Sequence, residues 1–260
     1  MRWEGSVALV TGASRGIGRE VARQAAERGA RVGLVARSAT DLDEVLSSIG
    51  GRGVAVAADV ADADQVSDAV RQVEEALGPV DVVVANAGIG AYGPFAATDA
   101  DEIERLTRVN WLGTAHLLRA VVPGMVERRR GHVAVVASVA GRMAAPLEAL
   151  YSATKFAQVG LAEGLALELE PYGIGVSVVN PGPVATDFFA ARGHAYDRRF
   201  PRKVSAERVA TAVVDAVEHG QAERFVPRWF RPALVSRVVV PPLYRRGARR
   251  SAPPPAGGTT

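Results

Sequence analysis

A tyrosine and a lysine four residues apart are the side chains in this sequence best placed for acid–base chemistry. They lie in Tyr151-Ser152-Ala153-Thr154-Lys155, which opens a predicted helix, so both side chains share one helix face. A phenol has a pKa of about 10, and lowering it to near 7 requires about 4 kcal/mol of phenolate stabilisation. A cation about 4 Å away, at an effective dielectric near 20, supplies about that much. We therefore expect Lys155 to lower the pKa of Tyr151.

Lysine is rare in this chain, which gives Lys155 added weight. Lys155 and Lys203 are the only two lysines, against 29 arginines. A compact ammonium can approach a phenol and a cofactor ribose in a way that the rigid guanidinium fork cannot. The alternative is an exposed Tyr/Lys pair on a helix surface, without chemistry.

A glycine-rich turn near the N-terminus is the second chemical feature. Thr11-Gly12-Ala13-Ser14-Arg15-Gly16-Ile17-Gly18 directly follows a short apolar run and precedes a helical stretch. Glycines let the backbone approach a pyrophosphate closely, and the helix N-terminus behind them offers free N–H groups. The spacing is Gly-x3-Gly-x-Gly, and glycines in a turn can be purely structural. Their position between the first strand and the first helix nevertheless predicts a dinucleotide site.

The end of the second strand indicates which dinucleotide binds. An acid at this position binds the ribose hydroxyls of NAD, but here Ala36 stands there and Arg37 follows. Arg15 lies in the glycine loop nearby. Two arginines without an acid suit a phosphate and predict a preference for NADP(H), unless either arginine is merely a surface residue.

Two further polar residues have positions suited to a site. Ser138 follows the fifth strand, and ligands bind at the carboxyl ends of strands in α/β sheets, so its hydroxyl could hold a substrate oxygen beside Tyr151. Asn110 precedes the predicted helix 111–126. Asparagine is a favoured N-cap residue, and a cap is one interpretation of Asn110.

The elements that must position these residues alternate along the chain. Apolar strands are predicted at 7–10, 31–35, 54–58, 80–85, 132–137 and 175–179, and a last edge strand at 224–226, with helices at 19–27, 39–49, 63–77, 111–126 and 206–218. The strands are near-continuous apolar runs, which is typical of strands covered on both faces. This pattern predicts an α/β fold: a single doubly wound Rossmann domain with a parallel sheet of about seven strands.

The predicted organisation has three parts. Residues 1–227 form the dinucleotide-binding and catalytic domain, with a substrate loop at about 182–204. Residues 228–250 form a basic and apolar C-terminal extension, and residues 251–260 form a disordered tail rich in Pro, Gly and Thr.

The sequence resembles the short-chain dehydrogenase/reductase family, in its NADP-preferring form. The motifs that carry the resemblance appear in family order from Thr11 to Thr186: Thr11-Gly12 with Gly16 and Gly18, Asp59-Val60, Asn86-Ala87-Gly88, Asn110, Ser138, Tyr151 with Lys155, and Pro181-Gly182 with Thr186. The resemblance implies catalytic roles for Asn110, Ser138, Tyr151 and Lys155, with Asn110 positioning a water that passes protons by way of Lys155.

The resemblance also implies how the cofactor is held. Asp59 would face the adenine ring and Val60 would contact it through the backbone, unless Asp59 is an ordinary turn residue. The Asn86-Ala87-Gly88 turn would border the adenosine, and Pro181, Gly182 and Thr186 would hold the nicotinamide amide. The remaining cofactor contacts implied are Gly12, Ser14, Arg15, Gly16, Ile17, Gly18, Arg37, Tyr151, Lys155 and Val184.

The activity implied is an NADP(H)-dependent oxidoreductase that interconverts a carbonyl and an alcohol. Candidate substrate contacts are mostly apolar and predict a hydrophobic substrate, unless these residues belong to the core or an interface: Tyr92, Met143, Leu147, Pro183, Phe188, Phe189 and Tyr196. A non-catalytic NADP(H)-binding sensor or scaffold on the same fold is the alternative. The resemblance further implies a homodimer or homotetramer. The apolar side chains of the helix after Tyr151 could pack on a partner helix or on the chain's own sheet.

Composition narrows the partners. The chain has 260 residues, 48% hydrophobic and 23% charged, with no cysteine and no histidine pair at zinc-binding spacing, so no metal site is expected. No signal peptide or apolar run long enough to span a bilayer is evident, and we expect a cytoplasmic protein.

The positive charge of the chain is concentrated near its C-terminus. The net charge of the whole chain is +3, but the segment from Arg224 onward has eight arginines and no acid. No nucleic-acid module is recognisable. The extension 228–250 could contact an anionic membrane, but packing over the pocket or a subunit is favoured.

Overall fold

The computed structural model describes residues 1–197 and 199–250, except the side chains of residues 243 and 247–250. The predicted disordered tail, residues 251–260, lies outside the described residues.

Within the described residues, seven parallel strands form one sheet in the order β3-β2-β1-β4-β5-β6-β7. The predicted doubly wound α/β fold is therefore confirmed, and the strands fall within two residues of their predicted bounds. They are β1 Val7–Thr11, β2 Arg31–Ala36, β3 Gly53–Ala57, β4 Val82–Ala85, β5 His132–Val136, β6 Gly175–Pro181 and β7 Glu223–Val226.

Helices connect the strands, and short polar residues begin several of them. Ser38, Asp62, Asp99 and Ser205 each accept a hydrogen bond from a backbone N–H in the first helical turn, as N-cap residues do. The helices are α1 Gly16–Glu27, α2 Ala39–Ser48, α3 Ala63–Leu77, α4 Ala100–Leu106, α5 Gly113–Arg128, α6 Ala149–Leu169, α7 Phe188–Ala191, α8 Ala206–Glu218, α9 Phe230–Val239 and α10 Pro241–Arg250.

Helices cover both faces of the sheet, which explains why the strands are continuously apolar. In β1, Ala8 and Val10 pack into one core cluster with α1, α2 and α8. Val7 and Leu9 pack into a second cluster with α3, α5 and α6. The apolar residues of α6 are divided: Leu169 is buried in this second cluster, whereas Leu167 is 75% exposed.

The interpretation of Asn110 as a helix cap is wrong. Helix α4 continues through a π-helical turn, Thr107–Leu112, directly into α5. Asn110 therefore lies inside a continuous helix, fully buried. π-turns are rare and often occur at functional sites, because their wider winding changes which groups the backbone can bond.

The prolines of the C-terminal extension lie where a helix tolerates them. Pro232 lies in the first turn of α9, and Pro241 and Pro242 open α10. The backbone N–H groups of a first turn have no partner within the helix, so proline costs little there. The extension consequently forms two helices of 10 residues each.

Candidate active site

The crevice expected to bind a ligand lies between β1 and β4, where the strand order reverses. Strands β2 and β3 extend the sheet on one side of β1, and β4 to β7 extend it on the other. The loops after β1 and β4 therefore diverge, and ligands bind where strand order reverses in this way. Thr11 and Asn86 join the two loops: the Thr11 hydroxyl accepts the Asn86 N–H at 3.1 Å, and Asn86 Nδ2 donates to the Thr11 carbonyl at 2.9 Å.

The glycine loop has the backbone that a phosphate cradle requires. Gly12 and Gly16 have φ of +66° and +58°, in the left-handed region that favours glycine. A Cβ would lie 2.9 Å from the Asn86 amide nitrogen at Gly12 and 3.2 Å from the Thr186 methyl at Gly16. The first turn of α1 holds no acidic residue, so its free N–H groups and dipole can accept an anion. These residues fit a dinucleotide pyrophosphate.

Gly18 has a different role from the other two glycines. A Cβ there would lie 2.2 Å from the Gly12 carbonyl oxygen, so Gly18 allows α1 to pack closely on the loop. It does not line the cavity that Gly12, Ser14, Arg15, Gly16 and Ile17 line.

The adenosine end of the crevice carries the two arginines. Arg15 and Arg37 are exposed and line the cavity, while Ala36 is 9% exposed at the end of β2. Asp59 lines the same cavity, and its carboxylate accepts the Ala61 N–H at 3.0 Å. Asp59 therefore makes the local turn that the alternative interpretation expects, while it also faces the crevice.

Tyr151, Lys155 and Ser138 meet at one wall of the cavity. Tyr151 and Lys155 lie one turn apart on α6, and the Lys155 Nζ is 5.8 Å from the centroid of the Tyr151 ring. Ser138 lies just beyond β5, and its hydroxyl accepts the Ala140 N–H at 3.1 Å. The structure thus brings together the phenol, ammonium and hydroxyl that the sequence singled out.

The pKa of Tyr151 shifts in the direction opposite to the one that the sequence predicts. Burial raises the pKa of Tyr151 above its ordinary value; the hydrogen bond with Ser138 opposes this, nearby Glu148 adds to it, and Arg192 opposes it. Burial lowers the pKa of Lys155 to about 7. Burial of the phenol therefore outweighs the expected effect of Lys155 on the Tyr151 pKa; the ammonium is itself desolvated and donates to two neutral oxygens, the Val136 carbonyl and the Gln158 amide.

Asn110 bonds the loop after β4 to α6. Its Oδ1 accepts the Ile89 N–H at 2.8 Å, and its Nδ2 donates to the Ile89 carbonyl at 2.9 Å and to the Thr154 hydroxyl at 3.0 Å. Gly88 fits beside it, since a Cβ there would lie 3.3 Å from Asn110 Oδ1 and 3.5 Å from Lys155 Nζ. Asn110 does not line the cavity, whereas Asn86, Ala87 and Gly88 do.

The segment after β6 completes the cofactor side. Pro181, Gly182, Val184 and Thr186 all line the cavity. A Cβ at Gly182 would lie 2.6 Å from the Phe230 ring, so the first turn of α9 packs directly on this segment. The cavity has a volume of about 1730 Å³ and continues from the glycine loop to Tyr151.

Aromatic residues of the predicted substrate loop cover the catalytic wall. The Phe188 ring lies 5.6 Å from the Tyr151 ring and 5.7 Å from that of Phe189, which is 5.0 Å from Tyr196. Phe188, Phe189, Tyr196, Pro183 and Met143 all line the cavity, as expected of substrate contacts.

Tyr92 and Leu147 do not line this cavity, in contrast to the prediction. Tyr92 instead stacks on His194 at 3.8 Å and lies under the Arg192 guanidinium at 4.8 Å. Leu147 adopts φ of +62°, and its carbonyl accepts the Gly93 N–H at 2.8 Å. Both residues therefore support the loops around the pocket.

Sequence reasoning missed a buried ion pair, whereas the extension packs at the pocket, which is one of the two arrangements that the sequence favoured for it. Arg192 forms an ion pair with Glu148 across 3.0 Å, with an arginine side chain only 2% exposed. Trp229, Phe230, Ala233, Ser236 and Tyr244 line the outer cavity. The basic residues among the aromatic residues of 182–204 were the available signal for the ion pair, but the pairing itself depends on tertiary packing. Gln158 was also missed, although it lies seven residues after Tyr151 on the same helix face.

Two absences are observed within the described part of the chain. No group of three or more His, Asp or Glu side chains is arranged to hold a metal ion. No helix there has both the length and the apolarity to cross a bilayer.

A doubly wound sheet with a glycine cradle, and a Tyr/Lys/Ser wall in the same cavity, define a dinucleotide-dependent oxidoreductase site. The family model described as short chain dehydrogenase matches residues 6–197. The chain therefore belongs to this family of oxidoreductases.

Named relatives support the same assignment. The chain is 44% identical over 186 residues to glycine betaine reductase ATRR of Emericella nidulans, covering 70% of this chain but only 15% of that protein. It is 33% identical over 225 residues to ketoacyl reductase HetN of Nostoc, covering 85% and 78% of the two chains. It is 37% identical over 194 residues to bovine 3-ketodihydrosphingosine reductase, covering 72% and 58%.

Solved structures share the fold. The 3-ketoacyl-(acyl-carrier-protein) reductase of Brucella melitensis, complexed with NADH, has a TM-score of 0.81 and 29% identity, covering 86% of this chain and 97% of that one. The alcohol dehydrogenase of Thermococcus sibiricus, complexed with 5-hydroxy-NADP, has a TM-score of 0.75 and 28% identity, with coverages of 85% and 95%.

Proposed function

We propose that this chain is an NADP(H)-dependent oxidoreductase that interconverts a carbonyl and an alcohol on a hydrophobic substrate. The observation that carries the proposal is that Tyr151, Ser138 and Lys155 line the same cavity as the glycine loop. A nucleotide held by the loop and a substrate oxygen at the catalytic wall would therefore share one cavity.

Tyr151, Ser138 and Lys155 have different roles in the proposed reaction. When bound, the nicotinamide supplies the hydride for reduction or accepts it in oxidation. In reduction, the Tyr151 hydroxyl gives its proton to the substrate oxygen as negative charge develops there. The Ser138 hydroxyl donates a hydrogen bond to the same oxygen, and the Lys155 ammonium stabilises the phenolate that remains. Oxidation of an alcohol reverses these proton movements.

The preference for NADP(H) rests on local charge. The related structures hold either NADH or an NADP analogue, so the fold alone does not choose the cofactor. Arg15 and Arg37 line the adenosine end of the cavity, and Ala36 replaces the acid that would bind a free ribose 2′-hydroxyl. A 2′-phosphate would gain charge-assisted hydrogen bonds from these arginines.

The substrate preference rests on the lining of the outer cavity. Met143, Phe188, Phe189, Trp229 and Phe230 present apolar surface to the cavity, and the Phe188 ring lies 5.6 Å from the Tyr151 ring. The name of the bovine relative specifies a keto lipid, which agrees with a lipophilic ketone as the substrate class.

A carbonyl panel tests this proposal. NADPH consumption is measured with straight-chain ketones of increasing length, and with small keto acids and free sugars. We expect kcat/KM to rise about fourfold for each methylene that the cavity buries. Equal rates on polar and lipophilic carbonyls, or no dependence on chain length, would contradict the assignment of a hydrophobic substrate.

A further inference from the structure

Gln158 is a completely buried polar residue beside the catalytic pair. Its exposed fraction is 0%, and it lies on α6 three residues after Lys155 and seven after Tyr151. These spacings place the three side chains along one face of the helix. A buried amide is costly unless its hydrogen bonds are satisfied, so its partners explain its presence.

The partners of Gln158 link two elements of the active site. Lys155 Nζ donates to Gln158 Oε1 at 2.8 Å. Gln158 Nε2 donates to the Asn110 carbonyl at 2.9 Å and to the Thr114 hydroxyl at 2.6 Å. A carbonyl only accepts and an ammonium only donates, so these partners determine which end of the amide faces the lysine.

The Lys155 ammonium is held by neutral oxygens alone. Besides Gln158, it donates to the Val136 carbonyl at 3.2 Å, which leaves one of its three N–H donors for the cavity that Lys155 lines. The phenol of Tyr151 lies on that cavity side. The amide and the carbonyl together therefore set the direction in which the ammonium points.

We infer that Gln158 is a positioning residue for Lys155: its amide joins the ammonium to the Asn110 carbonyl and keeps the ammonium directed toward Tyr151. This inference rests on the proposed function, because it assigns Gln158 to the Tyr/Lys acid–base pair. Gln158 itself does not line the cavity and acts through Lys155.

The arrangement changes the role expected of Asn110. Its carbonyl accepts hydrogen bonds from the Thr114 hydroxyl at 2.9 Å and from the Gln158 amide at 2.9 Å. The resemblance implied a water at Asn110 that passes protons by way of Lys155. In this chain the Gln158 amide links the Asn110 carbonyl directly to Lys155.

Few titratable groups surround this network. Tyr151 faces Lys155 from the same helix, and Glu148 and Arg192 lie beyond Tyr151 and influence its pKa. The other groups at the network, Val136, Gly88, Asn110 and Thr114, do not titrate. Burial already lowers the pKa of Lys155 to about 7, so the loss or gain of one partner will move its titration measurably.

Competitive acetylation tests the inference without requiring turnover. The full chain is labelled with trace acetic anhydride across pH 5.5 to 10, and peptide mass spectrometry compares Lys155 with the exposed Lys203, the only other lysine. Gln158→Leu removes an acceptor from the ammonium, so the labelling midpoint of Lys155 should fall by about one pH unit or more. Gln158→Glu adds a carboxylate, so the midpoint should rise.

Gln24→Leu is the matched control. Gln24 is also buried, but its amide bonds the Glu207 carbonyl and the Thr211 hydroxyl between α1 and α8. The Lys155 midpoint should be unchanged in this variant. A wild-type midpoint in Gln158→Leu, or shifts of the same sign in both Gln158 variants, would overturn the inference. If Gln158→Leu does not fold, the direction of the shift in Gln158→Glu decides. Absence of turnover on every carbonyl would contradict the proposed function but leave this labelling result standing.

Discussion

At the residue scale, the sequence predicts which side chains meet but not how their protons are distributed. Helix periodicity alone places Tyr151 and Lys155 on one face, and the structure has them there. Their pKa values depend on burial and on partners supplied by other elements, such as the Val136 carbonyl. This is why the sequence predicts a lowered pKa for Tyr151 while the protein's own environment raises it.

The cofactor preference is also decided by single residues. Arg37→Ala should raise the KM for NADPH about tenfold or more and leave that for NADH nearly unchanged, because a charge-assisted bond to the 2′-phosphate is lost. Ala36→Asp should move the preference toward NADH. Initial rates with both cofactors measure this, with Arg31→Ala, at the exposed opposite end of β2, as the control. Equal losses with both cofactors in Arg37→Ala would refute the assignment.

At the scale of elements, predictions from local pattern agree with the structure and those that depend on packing do not. Strands β1 to β6 are mostly apolar runs next to turn residues, so their sequence is sufficient to predict them. The π-helical turn at Thr107–Leu112 and helix α7 have no such local signal. Their conformations depend on long-range contacts, Asn110 with Ile89 and Phe188 with Tyr151.

The β5–β6 pair contains a buried histidine with a testable effect on stability. His132 Nε2 contacts the Ser177 hydroxyl at 2.8 Å, and that hydroxyl donates to the Gln221 carbonyl, so neutral His132 donates through Nε2. Burial lowers the pKa of His132 to about 4, below its ordinary 6.5. Below pH 6.5 the unfolded chain binds a proton that the folded chain does not. The contribution of neutral His132 to stability is therefore fully present above pH 6.5. About 3 kcal/mol of the free energy of unfolding is lost as the pH falls from 6.5 to 4.

Urea unfolding at several pH values between 7.5 and 4 measures this dependence. We expect His132→Gln to show a shallower decline in the free energy of unfolding than the wild type. His219→Gln is the control, because His219 is exposed on α8's C-terminal side and should leave the slope unchanged. The same slope in wild type and His132→Gln would show that His132 titrates normally.

At the scale of the whole molecule, one cavity unites parts of the chain that are distant in sequence. The glycine loop, the catalytic wall on α6 and the first turn of α9 all line it. Ordered motifs were sufficient to predict the family, and the extension was expected to pack over the pocket or a subunit, but which of its residues line the cavity follows only from the folded chain. The homo-oligomer stays a prediction, and membrane contact of the extension stays the less favoured alternative to packing. Exposed apolar side chains mark where these contacts could be sought: Leu167 on α6 for a partner subunit, and Val238 and Val239 on α9 for a membrane.

The central claim is that Tyr151 exchanges a proton with substrate beside a bound dinucleotide. The most direct test is Tyr151→Phe, measured by single-turnover reduction of the best carbonyl and by NADPH binding, with Tyr172→Phe on the protein surface as the control. We predict a rate about a hundredfold to ten-thousandfold lower in Tyr151→Phe, with the NADPH Kd unchanged and normal turnover in Tyr172→Phe. Full turnover in Tyr151→Phe would contradict the account.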